Sequence, residues 1–411
     1  MKNTLMKSLL KAKSDANKEV EDLIETYLRD AKNKNKAQTD AFVSELLVFI
    51  MQKLEQDVDK SILLDLVSSK ISSLGYTIET AALEHIYEMS AVAVASSLSA
   101  TFTFDKTDTQ VLDSMYRALT WMKEDGAVNT QDKLKSIIGQ AMKGEVNMAD
   151  LGETLREGFE GVIDESARYF EGVSDHVIRQ SQSVTRAYQF EKAGVESVKV
   201  VAVIDNRTSL ICRSLHGRII SVKKVVGQAD AITSAQSIDE KKTASRWQSQ
   251  PIFGTLAKDV ALPPYHFRCR TIVVAYFPQS VEIDGKNVNG SLLPGETYKG
   301  NKEVLFSHIE PNFGYEVVVT DKTFSHEGNP HDVSQKQVIA GLNSMEKMAL
   351  HRNELKRTVG YSKDKNLFFV FENGELWTVY DGTRKDYFKD NAEISTITTH
   401  SMKKGKTDEE V

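Results

Sequence analysis

The chain has 411 residues, too many for one ordinary core, so two or three domains are expected. Hydrophobic residues make up 40% and charged residues 27%, as in globular proteins, and a net charge of −6 excludes a chain that attracts nucleic acid along its whole surface. No apolar run reaches the roughly 18–20 residues that span a bilayer, which predicts no membrane span. The first residues, Met1 to Lys13, read as the start of an amphipathic helix and not as a secretion signal. Two cysteines in so long a chain exclude a disulfide framework and suit assembly in a reducing cytoplasm.

Residues 1–190 read as helix. None of the seven prolines precedes Pro251, and an interior proline would remove a backbone bond and clash. Apolar residues recur at three- and four-residue steps in Val20, Leu23, Ile24, Tyr27 and Leu28, again in Phe42, Leu46, Leu47, Ile50 and Leu54, and again in Leu112, Met115, Leu119 and Met122. Polar or glycine-bearing breaks are expected at Asn33–Lys36, Ser73–Thr77, Phe104–Thr107 and Gly144–Asn147, with helix starts near Thr107-Asp108 and Asn147–Asp150. The last helix carries Arg179, Arg186 and Tyr188, whose simplest reading is a solvated face, and ends at Gly194, where a left-handed residue is wanted.

From Val198 the period changes. Val198–Ile204, Ile219–Val222 and Thr271–Tyr276 are β-branched and read as strands of a small β-rich module over 191–278. Residues 223–250, polar and lysine-rich, read as a long loop with some helix near 231–236 and 239–248. A run of Pro278, Gly285, Gly290, Pro294, Gly295 and Gly300 makes 279–300 a linker by composition. Residues 301–411 then form a separate α+β domain: a strand at Tyr315–Thr320, one or two helices over Ser334–Val359, a hairpin turning at Asn373-Gly374, and a last strand at Glu393–His400. The fold class is α+β.

The module holds both cysteines. Cys212, His266 and Cys269, with His216 nearby, offer the sulfur and nitrogen ligands that zinc takes, making zinc the candidate cofactor. Zinc motifs usually show two close pairs, however, and Ser209 stands where the partner of Cys212 would be. The alternative is a β module held by packing, with buried thiols and Pro263-Pro264 fixing its entry. Neither Cys212 nor His266 lies in a recognisable nucleophile setting.

The ordered elements Val177-Ile-Arg179, Thr185-Arg186-Ala187, Ala193-Gly194-Val195, Asp205-Asn-Arg207-Thr208, Cys212, Leu215-His216-Gly217 and Pro263-Pro264-Tyr265-His266-Phe267-Arg268-Cys269-Arg270 resemble the phage Mu F-like head morphogenesis family over about residues 120–277. The family commonly has Thr-Cys at Thr208-Ser209 and often Cys at Thr271, and this chain departs at both. The resemblance implies a minor capsid protein of a tailed phage or prophage, carried inside the head near the portal and assembled in the bacterial host cytoplasm. It implies the portal and other capsid proteins as partners, and first 280 residues that are not enzymatic.

Residues 301–411 are similar in element order to the small ribonuclease fold of barnase and RelE-type toxins. That resemblance implies a metal-independent ribonuclease effector, as in a polymorphic toxin, with RNA or an immunity protein as partner. Its chemistry needs a general acid, a general base and a cation, for which His326, His400, Thr398 and Arg352 are the candidates, with His308, His331 and Lys356 behind them. Acidic residues outnumber basic ones there, 18 to 15, so any RNA cleft must be local.

Overall fold

The computed structural model describes residues 2–143, 148–324, 333–351, 354–381 and 400–401 and is α+β: helices fill the first half of the chain and strands dominate the second. The chain divides into two units, Met1–Thr185 with Thr233–Lys241, and Arg186–Ile232 with Lys242–Val411.

The first unit is built on α1 (Lys2–Glu55), α2 (Lys60–Ile71), α3 (Ala81–Ser97), α4 (Lys106–Lys143) and most of α5 (Met148–Lys192). Leu46 and Ile50 of α1 pack with Leu63 and Ile71 of α2, Leu134 and Ile138 of α4, and Leu155 and Phe159 of α5, the apolar stripes that the spacing marks out. The breaks expected at Ser73–Thr77 and Phe104–Thr107 fall between helices, whereas the one at Gly144–Asn147 lies outside the described residues. No break occurs at Asn33–Lys36. Asn35 is turned inward instead: its side-chain carbonyl accepts from Ser166 Oγ (3.1 Å), and Ser166 lies 3.0 Å from the Tyr76 hydroxyl, which also bonds Thr130 (3.3 Å). A polar residue that suggested a helix end is thus a buried register device joining α1, α4 and α5.

Helix α4 starts at Lys106, one residue before the expected Thr107, with Asp105 as its cap. The Asp105 carboxylate accepts from the Thr107 and Asp108 amides (2.8 and 3.3 Å), and the Asp108 carboxylate accepts from the Asp105 amide (2.9 Å), a reciprocal cap. Arg179 is not on a solvated face. Its guanidinium donates to Asp175 (2.7 Å) and Glu21 (3.2 Å), and only 21% of its side chain is exposed. Helix α5 closes as the sequence predicts, with Gly194 at φ 67° and the Val195 amide bonded to the Phe190 carbonyl (2.9 Å).

In the second unit, β1 (Ser197–Val201) lies between β2 (Ile219–Ser221) and β3 (Ile272–Tyr276), all antiparallel, with the short α6 (Leu210–Leu215) between β1 and β2. The loop expected over 223–250 is largely α7 (Val222–Ser234) and α8 (Ile238–Ala244). Val222, Val225, Val226, Ala229 and Ile232 fall on one helical face and are buried, and the intervening lysines hid that period.

The expected linker is also structured. Strands β4 (Gln279–Ile283) and β5 (Lys286–Gly290) pair as a hairpin through Asp284 and Gly285, both at positive φ (48° and 73°). Val288 enters the core formed with Phe306, Val317, Val319, Ile339 and Phe369. Aspartate-glycine is as strong a turn signal as the Asn373-Gly374 of the later hairpin, but the surrounding glycines and prolines masked it.

The larger sheet contains β6 (Thr297–Tyr298), β7 (Lys302–Ile309), β8 (Glu316–Thr320), β9 (Lys347–Leu350), β10 (Arg357–Ser362), β11 (Leu367–Glu372), β12 (Glu375–Asp381) and β13 (His400–Ser401). Their order is β13-β9-β10-β11-β12-β8-β7-β6; among the described residues, only β12 and β8 pair in parallel. Between them lie the four-residue α9 (Asp321–Phe324) and α10 (Gln335–Asn343), whose Val338, Ile339 and Leu342 cover one face. The helical reading of Ser334–Val359 therefore holds only to Asn343. Beyond it Lys347–Leu350 and Arg357–Ser362 pair as strands, the tertiary sheet overriding local propensity. The last strand, expected from Glu393, is described only at 400–401.

Residues 301–411 do not stand apart from the central module. Lys199 of β1 pairs with Glu316 of β8 (2.7 Å), whose carboxylate also accepts from the Ser291 amide (2.6 Å). The Ile219 amide bonds the Gly314 carbonyl (2.8 Å), and the Tyr315 hydroxyl donates to the Ser214 carbonyl. Arg218 lies over the Tyr315 ring and donates to the Phe253 carbonyl (3.2 Å). The boundary at 279–300 is corrected accordingly: buried polar contacts cross it, and they could not be read from composition.

Candidate metal centre

Three donor groups from two distant segments meet beside β1. Cys212 sits in the first turn of α6, and Ser209 caps that helix, its Oγ accepting from the Cys212 amide (3.4 Å). His266 and Cys269 lie on the turn that leads from Pro263-Pro264, joined by a cis peptide, into β3. The Cys212 Sγ is 3.5 Å from the Cys269 Sγ and 3.1 Å from His266 Nε2. These three ligand atoms all lie within 4.8 Å of one another, with both cysteines buried and the histidine half-buried, so the group could hold a metal ion.

The His266 Nδ1 lies 2.8 Å from the Phe267 carbonyl, which can only accept, so Nδ1 carries a proton and Nε2 is the nitrogen turned toward the sulfurs and the Ser209 hydroxyl (2.8 Å). The two thiols share a hydrogen bond that polarises them. The bond from Cys212, helped by His266, pulls the Cys269 thiol far below its ordinary range, while that same bond and burial push Cys212 up. The His266 imidazole is raised by its hydrogen bond to Cys269.

A second layer braces the turn. The Arg270 guanidinium donates to Asp205 (2.7 Å), and the same carboxylate accepts from the Arg207 amide (2.9 Å). Arg270 holds the Asp205 carboxyl well below the usual carboxylate range. Thr208 Oγ1 accepts from the Asp205 amide (2.8 Å) and donates to the Val203 carbonyl (2.6 Å). Gly217 takes φ 85°, a left-handed turn that its amide closes on the Val200 carbonyl (2.8 Å).

His216 is not a member of the cluster. Its Nδ1 accepts from the Ala202 amide (3.1 Å), and burial, with Lys199 and Lys299 nearby, lowers it to about 4, so it serves as a neutral acceptor that pins α6 to β1. Two hydroxyls also face the cluster: Ser209 as above, and Thr271, whose side chain bonds Cys212.

The candidates at the far end of the chain are not brought together among the described residues. His326, His331, Arg352 and Thr398 lie outside them, and His400 is placed by its backbone alone, opposite Met348. His308 has both nitrogens engaged, Nδ1 accepting from the Asn289 amide (3.2 Å) and Nε2 bonding the Asn343 side chain (2.8 Å), which makes it a structural residue. Lys356 is tied in by its carbonyl, which accepts from Asn373 (3.1 Å). A group that sequence reasoning missed is Glu310, fully buried, whose carboxylate gathers the amides of Asn312, Phe313 and Tyr315 (3.0, 3.0 and 2.9 Å) and shapes the β7–β8 turn.

No helix among the described residues is long and apolar enough to cross a membrane. No family model matches the chain, and no curated protein or solved structure matches it.

Proposed function

We propose that this chain is a minor capsid protein of the Mu F-like head-morphogenesis type, from a tailed phage or prophage, and that Cys212, His266 and Cys269 hold a structural zinc ion. One observation carries the reading. The motif residues, spread over 205–270, spend their bonding on one another: Asp205 with Arg270, Ser209 with His266, Cys212 with His266 and Cys269. A motif whose members satisfy each other is a closure device for a module, as befits an assembly protein, and not an array aimed at a substrate.

The donor set suits zinc. Two sulfurs and an imidazole are soft or borderline ligands, preferred by zinc over magnesium or calcium, which take oxygen. A tetrahedral ion at usual bond lengths wants about 3.8 Å between sulfurs and about 3.5 Å between sulfur and nitrogen. The observed 3.5 and 3.1 Å need only a few tenths of an ångström of opening. Ser209 Oγ stands beside His266 Nε2, where a fourth, oxygen donor would be wanted. Bound there, the ion would clamp α6 to the strand-entry turn of β3.

The assembly role is tested by particle purification from the producing strain and by pull-down with the portal protein of the same phage. The full chain should sediment with heads or with the portal ring; absence from heads together with no portal binding would refute it.

A further inference from the structure

The two sulfurs of the central module carry a second chemistry that holding a metal ion does not use. Cys212 and Cys269 are the only cysteines of the chain and stand 57 positions apart, so no third thiol diverts their pairing. Both are buried and free, and their sulfurs are 3.5 Å apart, at van der Waals contact. A disulfide needs about 2.05 Å between sulfurs, whereas two sulfurs on one tetrahedral zinc ion need about 3.8 Å. The observed spacing lies between these values, and one pair of sulfurs meets only one of them at a time. The histidine does not depend on the sulfurs for its bonding. Its Nδ1 stays on the Phe267 carbonyl (2.8 Å), and Ser209 Oγ stands 2.8 Å from its Nε2.

From this we infer that Cys212 and Cys269 are a site of oxidative modification, at which hydrogen peroxide joins them in a disulfide that takes the place of the metal ion. The inference rests on the zinc reading for what is displaced, and on the sulfur contact alone for the bond that forms. One sulfur takes a hydroxyl from the peroxide and becomes a sulfenic acid, releasing water. The other sulfur then attacks it, the S–S bond forms, and the sulfenic oxygen leaves as a second water. Two thiols and one peroxide thus give one disulfide and two waters, the sulfurs oxidised and the peroxide reduced. Where zinc holds both sulfurs as thiolates, the two protons come from solvent and the ion departs. His266, half-buried beside two buried cysteines, is the side from which so small an oxidant approaches. Like the ion, the disulfide ties α6 to the turn entering β3. One clip serves in the reducing cytoplasm and the other in an oxidising medium outside the cell.

The full chain, stripped with a chelator or loaded with zinc, is treated with hydrogen peroxide near stoichiometry. A non-reducing peptide map should join the Cys212 peptide to the Cys269 peptide, at a mass about 2 Da below their sum, the two hydrogens lost. From the loaded chain, a chromogenic chelator should register about one zinc ion released per disulfide formed. The oxidised chain without metal should melt about 5–10 °C above the reduced chain without metal. Oxygen added to either sulfur with no cross-link, or cross-links only between chains, would overturn the inference, as would an oxidised chain that melts no higher. A cross-link in a chain that never takes up zinc would uphold the disulfide and sink the zinc reading alone. Zinc uptake with no cross-link under peroxide would do the reverse.

Discussion

Replacing Glu316 tests whether the central module and the C-terminal sheet are one cooperative unit. The Glu316 side chain is 1% exposed, that of Lys199 is 28% exposed, and their charged atoms are 2.7 Å apart. Burial alone would raise the carboxyl, but Lys199 and Ser291 outweigh it and hold it below its ordinary value. Breaking a fully buried pair costs about 3–5 kcal/mol. Lys199 reaches solvent and lies near the Tyr276 ring, so Glu316→Gln should cost less, about 2 kcal/mol. Glu316→Leu also strips the acceptor from the Ser291 amide and should cost about 1–3 kcal/mol more. Hydrogen exchange on the full chain reads the result directly. With Glu316→Gln, amides of β1 and of β8 should lose protection together, by roughly 30-fold. Loss confined to one sheet, with the other unchanged, would show two independently stable domains and refute the single unit.

Other substitutions probe separate features. Gly290→Ala should destabilise the unit by about 1–3 kcal/mol in urea unfolding, because the new Cβ would sit 2.5 Å from the Ser307 backbone carbon and 2.6 Å from its oxygen, which side-chain motion cannot relieve. His216 should make stability fall as pH falls: the unfolded chain takes up its proton near pH 6.5, the fold resists until about 4, and between them acid favours unfolding. His216→Asn, which keeps an acceptor for Ala202, should flatten that part of the pH–stability profile; an unchanged slope would refute the role. Ser209→Cys should tighten zinc binding by at least about tenfold, or 1.4 kcal/mol, in a chelator competition, since it places a third sulfur beside His266.

Much of the fold was legible where local chemistry and tertiary context agree. The strands β1, β2 and β3, the Asn373-Gly374 hairpin and the left-handed Gly194 all follow from patterns that need no distant partner. Legibility failed where composition misled. Lysines interrupted the apolar face of α7, glycines and prolines disguised the β4–β5 hairpin, and a helical pattern past Asn343 was overruled by pairing with β11 and β9. At the site, Cys212, His266 and Cys269 were found from residue type and spacing, because soft ligands are rare in this chain. His216 shares that chemistry, but only three-dimensional placement reveals that its Nδ1 is spent on Ala202. The Lys199–Glu316 pair and the Asn35 network had no sequence signal at all, since a buried charge or amide is recognisable only by what encloses it.

Closure of the central module by a metal ion is tested most directly by elemental analysis of the full chain purified without chelator, compared with Cys269→Ser. The expected result is one zinc per chain in the native protein, and loss of both the zinc and the thermal stability it confers in the variant. A folded native chain that carries no metal after zinc is supplied, with Cys269→Ser melting at the same temperature, would contradict the metal clip and leave the three side chains as packing alone.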